Sequence, residues 1–264
     1  MIIYEFFRNA ILAGIFASII CGVMGVYIVL KRIAFISSGI AHATFGGIGV
    51  GVLLNINPIL TAMMFSVLSA IGIEYASEKT KLHEDTAIGI LMSLGMSLGI
   101  IFISLSKSYT VDLFGFLFGN ILSVSTYDIY LMALLSFTSI ATIYLLFKEF
   151  VVISFDEEFG RALGIPVSKL KLLFLILVAL TIVILIKIVG IILVVALLTL
   201  PAATARKFSK KVKDMMLFSV FFGVIAVLLG LVLSYYLNLP SGATIVLISG
   251  TIFFVLSIIK DYHF

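Results

Sequence analysis

The chain has 264 residues, 62% of them hydrophobic and only 11% charged, and its mean hydropathy is +1.32. Soluble globular domains carry about 25% charged residues, so this composition excludes an ordinary water-soluble fold. The net charge of +4 does not point to nucleic acid, because the basic residues fall between long apolar runs.

Nine such runs occur, at 11–30, 34–54, 58–75, 86–106, 127–147, 171–186, 188–205, 215–236 and 243–259. A helix needs about 20 apolar residues to span a bilayer, and soluble core helices seldom reach that length. The predicted fold is an all-α, polytopic integral membrane helical bundle. It has nine spans, or eight if one piece is re-entrant, in a single membrane domain covering 1–264. The runs are too long and too continuously apolar for the strands of a β-barrel.

The first run follows Glu5 and Arg8, with no basic start and no A-x-A site, and reads as a retained span. Cys21 lies within it beside Gly22 and Gly25 and reads as a small packing residue. The second run carries the chemistry. Gly39, Ala43, Gly47 and Gly51 form a small-residue stripe that lets backbones approach closely. Ser38, His42 and Gly46 form the stripe beside it. A histidine inside a span usually faces the bundle interior or a wet cavity, and neutral imidazole is a common metal ligand. An interhelical hydrogen bond is the structural alternative.

Glu74 reads as a solvated charge at the inner end of the third run, and His83 as a residue of a polar inner loop. The segment 111–122 is too short to span and too apolar for a free loop, so it reads as an interfacial or re-entrant helix. Its Asp112 either caps that helix or attracts cations. His263 falls in the tail.

Residues 148–170 break the hydrophobic pattern. Ser154 and Glu157 fit an S-x-x-E capping box, and Asp156, Glu157 and Glu158 place negative charge in the first turn. Gly164 suits the left-handed C-terminal position, and Pro166 blocks continuation. Phe155, Phe159 and Leu163 make one face apolar. This short helix either docks onto another protein or rests on the lipid interface. Further on, Pro201 predicts a bend, either a gate or a structural kink. The basic run 206–213 reads as an anchor near anionic lipid, and residues 238–242 as an outer turn or a short re-entrant element.

Placing the capped helix in the cytoplasm fixes the orientation. Of the 17 lysines and arginines, only Arg8, Lys107 and Lys187 then lie outside, as the positive-inside rule requires. The sequence has no G-x-x-x-x-G-K-[ST], H-E-x-x-H or C-x-x-C motif. Energy for uphill transport would have to come from a partner or from an ion gradient.

Five groups of residues, in order along nearly the whole chain, resemble the membrane permease subunits of zinc, manganese and iron uptake ABC transporters. They are Lys31-Arg32 leading into Ser38–Ala43; Asp85–Ile90; Val111–Leu113 with Leu117–Leu122 and Val124-Ser125; Ser154–Glu158 with Ala162–Gly164; and Val189-Gly190 through Ala196–Leu198 to Pro201–Arg206. The resemblance implies a bundle of the metal-chelate and cobalamin importer type in a prokaryotic cytoplasmic membrane. It implies a transport subunit, not an enzyme, with no resident cofactor and a divalent metal ion as cargo. The implied partners are a second copy of the chain, two cytoplasmic ATPase subunits, an extracytoplasmic metal-binding protein and membrane lipid, with no nucleic acid. The helix at 154–164 becomes the coupling helix, with Phe155, Glu157, Phe159, Leu163 and Gly164 at the ATPase. His42 becomes a transient ligand on the translocation path.

The family's aspartate, four residues before the histidine, is here Ser38, a weaker neutral ligand. The Pro201–Arg206 ending leans towards zinc. Two other readings are a self-powered secondary transporter or channel, which the sparse intramembrane acids oppose, and an intramembrane enzyme built on Ser38 and His42. The latter pair has nothing evident to orient the histidine or to supply an oxyanion site.

Overall fold

The computed structural model describes residues 5–80, 84–106, 119, 121 and 124–261. Ten α-helices account for most of these: α1 (Glu5–Leu30), α2 (Phe35–Leu54), α3 (Pro58–Thr80), α4 (Glu84–Leu105), α5 (Thr126–Leu145), α6 (Phe147–Phe155), α7 (Glu157–Ala162), α8 (Val167–Phe208), α9 (Val212–Leu237) and α10 (Ser241–Asp261). Among the described residues there is no strand. Asp112, His83 and His263, and most of the 111–122 segment, lie outside them.

Eight of the helices are long and apolar enough to cross a membrane, and one of the eight crosses twice. At 1.5 Å per residue, the 42 residues of α8 would extend about 63 Å, about twice the hydrocarbon thickness of a bilayer. Instead the helix breaks at Gly190, where φ is 79° and ψ is 163°. That region of φ suits glycine and strains other residues. Lys171, near the start of α8, lies 3.5 Å from Glu157. Arg206, near its end, lines the same cavity as Glu157. Residues 167–189 therefore run away from one end of the bundle and residues 191–208 return to it, giving nine crossings among the described residues. The end that gathers Lys31, Lys171 and Arg206 is the cytoplasmic end in the orientation read above.

The helix passes through Pro201 with helical dihedrals, and the departure in α8 is at Gly190. The reversal falls at a glycine, where a residue without Cβ can adopt positive φ. The backbone of Gly119 lies against the Val189–Gly190 peptide so closely that a Cβ on it would collide. Residues 238–240 form a simple outer turn, with Asn238 in the left-handed conformation ending α9.

α1, α2 and α8 are the most buried spans, while α4 and α10 are mostly open on their flanks. Lipid offers no hydrophobic drive for helices to associate, so close packing must hold them together, and small residues permit it. Cys21 is fully buried in α1, as a packing residue should be. The α2–α4 contact is of this kind. A Cβ on Gly95 would sit 2.5 Å from the Cα of Ala43, and one on Gly99 would sit 2.6 Å from the carbonyl oxygen of Phe45. On its other side α2 meets α3, where a Cβ on Gly47 would lie 2.6 Å from the Thr61 carbonyl oxygen. The three helices are locked, backbone to backbone.

Candidate functional site

The α2 stripe read from sequence is almost entirely closed. From Ile36 to Gly49, every residue is buried except Ser38 and His42, which lie one turn apart and are half-open. The His42 Nδ1 lies 2.7 Å from the carbonyl oxygen of Ser38. A carbonyl oxygen only accepts, so Nδ1 carries the proton and donates it there. The lone pair of the neutral ring is then on Nε2, the atom that a metal ion would use. The Ser38 hydroxyl is 3.3 Å from the same Nδ1. No orienting group for this histidine is evident in the sequence. The structure supplies one from the helix's own backbone, the Ser38 carbonyl one turn earlier.

The second candidate feature is the arm between the fifth and sixth crossings. α6 continues directly from α5 after one non-helical residue, Leu146, and ends at Phe155. The predicted capping box is not formed. Ser154 lies inside α6 and its hydroxyl donates to the carbonyl of Phe150 at 2.7 Å. The cap of α7 is Asp156, whose carboxylate accepts from the Phe159 amide at 2.9 Å. The preceding helix absorbs the serine, so the start shifts by two residues. The far end of α7 closes as a Schellman turn. The Ile165 amide donates to Gly160 O and the Gly164 amide to Arg161 O, and Gly164 has φ of 77°. Phe155, Phe159 and Leu163 are all more than half exposed. They form an apolar patch on the outside of the arm, carried by α6, α7 and the turn after it.

Glu157, released from capping, turns inward. Its Oε1 accepts from Lys31 Nζ at 2.9 Å and its Oε2 lies 3.5 Å from Lys171 Nζ. Burial alone would raise its pKa. The Lys31 hydrogen bond and the charges of Lys31 and Lys171 outweigh burial and hold the carboxyl below the ordinary glutamate range. Lys171 also bonds Glu84 at 2.7 Å and lies 3.9 Å from Glu74. Glu74 is therefore not the solvated end charge its position suggested. Its side chain is only 8% exposed, and its Oε1 has no hydrogen-bond partner. Beneath this ionic layer, Tyr27, Phe150 and Phe174 form a three-ring cluster with centroids 5.7–5.9 Å apart. It fastens α6 to α1 and α8.

At the outer end, Lys187 pairs with Asp128 at 2.5 Å. Asp128 also completes a capping box with Ser125 at the start of α5. The Ser125–Asp128 spacing is as plain in the sequence as that at Ser154, but lies inside an apolar context. Among the described residues, no cluster of three or more His, Cys, Asp or Glu side chains is arranged to hold a metal ion.

Nine crossings, an inner-end arm and one open polar pair on a glycine-packed span define a polytopic transport subunit. The chain belongs to the ABC 3 transport family, which it matches over residues 3–260, and is a metal-uptake ABC permease subunit and not an enzyme. It is 37% identical over 252 residues to the "Manganese transport system membrane protein MntC" of Listeria monocytogenes, covering 96% of this chain and 90% of the relative. Among solved structures, it is similar to "PsaBC from Streptococcus pneumoniae in complex with Fab", with TM-score 0.85 and 35% identity over 96% of this chain and 91% of that one. A metal-chelate type ABC transporter in an inward-facing conformation shares the fold, with TM-score 0.78 and 17% identity over 95% and 85% of the two chains. The protein is thus a multi-pass protein of the prokaryotic cell membrane.

Proposed function

We propose that this chain is the membrane-spanning subunit of an ATP-driven importer of manganese(II). It works as a homodimer, docks two cytoplasmic ATPase subunits through Phe155, Phe159 and Leu163, and receives its ion from an extracytoplasmic metal-binding protein. The observation that carries the reading is the Ser38–His42 pair, open on a span whose neighbouring positions are closed. A polar pair at such a place has to face a second copy or a wet path, because lipid cannot solvate it.

The choice of manganese replaces the zinc suggested by the Pro201–Arg206 ending. A relative matching nearly the whole chain is named for manganese, whereas zinc rested on one short motif. The chemistry agrees. Manganese(II) accepts neutral oxygen and water ligands, while zinc favours a compact set of nitrogen and sulfur donors. His42 Nε2 and water make a weak, open set, suited to an ion that must also leave.

The test is ATP-dependent uptake of manganese(II), zinc(II) and iron(II) into vesicles holding the permease with its ATPase and binding protein. Manganese should be preferred and ATP required. Uptake without ATP would instead support a secondary transporter, and a zinc preference would overturn the assignment of the ion.

A further inference from the structure

The arm that presents the apolar patch has to move something when the ATPase moves it, and the structure contains an ionic joint through which it can do so. We propose that Lys171 is the coupling hub of this permease: a single ammonium that ties the arm to α3 and α4, and through them to the helix that bears His42. The inference rests on the docking role of Phe155, Phe159 and Leu163 given above and identifies how that docking reaches the ion path.

Lys171 stands among three carboxylates, each from a different element. Glu157 belongs to the arm at 3.5 Å, Glu84 opens α4 at 2.7 Å, and Glu74 lies near the end of α3 at 3.9 Å. Its own side chain is only 11% exposed. Lys31, at the end of α1, shares Glu157. Exposed ion pairs contribute little. A buried pair is different, because removing one partner leaves an uncompensated charge. The arm therefore cannot shift away from Glu84 and Glu74 without Lys171 following or its contacts rearranging.

Beyond the hub, motion has little room to dissipate. α4 meets α2 at Gly95 and Gly99, and α3 meets α2 at Gly47, in each case with no space for a Cβ. Close-packed contacts of this kind transmit displacement instead of absorbing it. Glu74 adds a second indication. One of its buried oxygens has no hydrogen-bond partner, and such orphans are rare and costly. Its nearest cation is Lys171, at a distance longer than a hydrogen bond. The unmade Lys171–Glu74 contact marks where the ammonium goes when the arm withdraws Glu157, so the hub has two partner sets. A physical coupling path needs such a two-state element.

The experiment uses the complete transporter in vesicles, with manganese(II) as the transported probe. It measures ATPase co-purification, ATP hydrolysis and manganese taken up per ATP hydrolysed. The variants are Glu157→Gln, Lys171→Met and Lys171→Arg. Glu157→Gln removes one charge of the hub while keeping the side chain's shape, so it stands in if Lys171→Met does not fold. The hub predicts that Glu157→Gln and Lys171→Met retain the ATPase yet lose about fivefold or more in uptake per ATP, the size of a typical coupling free energy. Lys171→Arg should restore most of it. Unchanged uptake per ATP in Glu157→Gln would overturn the hub. So would loss of the ATPase from Glu157→Gln, since Glu157 would then face the ATPase and not Lys171. Failure of docking itself shows separately, as co-purification that survives Phe159→Asp.

Discussion

Phe159→Ala measures how much the patch on the arm contributes to ATPase binding. Phe159 is 55% exposed, and fully burying such a side chain is worth about 1.5–3 kcal/mol. Covering the exposed part is therefore worth about 1–1.5 kcal/mol per arm, which corresponds to a Kd weakened about five- to tenfold in the alanine variant. Phe159→Asp adds an unpaired charge to a dry contact and should abolish binding at micromolar concentrations. Neither change should unfold the arm. The cap of α7 runs from the backbone amide of Phe159 to Asp156, not through its ring, and the arm's anchorage lies in Phe150 and Glu157 on the inner side. The assay is a binding isotherm of detergent-solubilised permease on immobilised ATPase, with amide exchange across 147–165 as the folding control. A Kd for Phe159→Ala within about twofold of the native value, with the arm folded, would refute the docking argument.

On α4, Gly95→Ala should destabilise by about 1–3 kcal/mol by forcing α2 and α4 apart. Gly89→Ala, where a Cβ meets nothing within 4 Å, should be neutral or stabilising by about 0.5–1 kcal/mol. Thermal unfolding in detergent separates them, and equal effects would contradict the packing. The Glu157 carboxyl is held below its ordinary pKa, so its ionised form stabilises the seat of the arm. That contribution is complete above the unfolded glutamate value near about 4.3 and is lost as pH falls through the lower folded value. Amide protection factors over 157–165 should drop in that acid range, and Glu157→Gln should flatten the dependence. Ser38→Asp restores a carboxylate one turn from His42; manganese(II) should bind it more tightly and be released more slowly, as isotherms and uptake rates would show. Identical isotherms would remove Ser38 from the ion's surroundings.

The spans were legible because an apolar run of bilayer length has few other uses. Even the two arms of α8 were separable, since Lys187 interrupts the run. The turn itself falls three residues later, at Gly190, where positive φ is cheap. Pro201 marks a missing hydrogen bond, which the packed helix carries with helical dihedrals. The S-x-x-E pattern at Ser154 failed for a local reason. A cap works only where the preceding chain is not helical, and α6 runs through it. The ionic hub was not legible. Lys31, Glu74, Glu84, Glu157 and Lys171 are spread along 140 positions of sequence, and nothing local says that they share one end of the bundle. Glu74 was read as a charge at a wet helix end, whereas the neighbouring helices bury it. His42 stood out at once as the only histidine within an apolar run. Its tautomer required the 2.7 Å contact to the Ser38 carbonyl.

The most direct measurement is manganese(II) uptake by the complete transporter carrying His42→Ala, with ATPase assembly determined on the same preparation. The account predicts normal assembly and uptake reduced at least about tenfold, the loss expected when about 1.4 kcal/mol or more of ion stabilisation is removed from the path. Uptake at the native rate from a normally assembled complex would mean that the open face of α2 does not carry the ion.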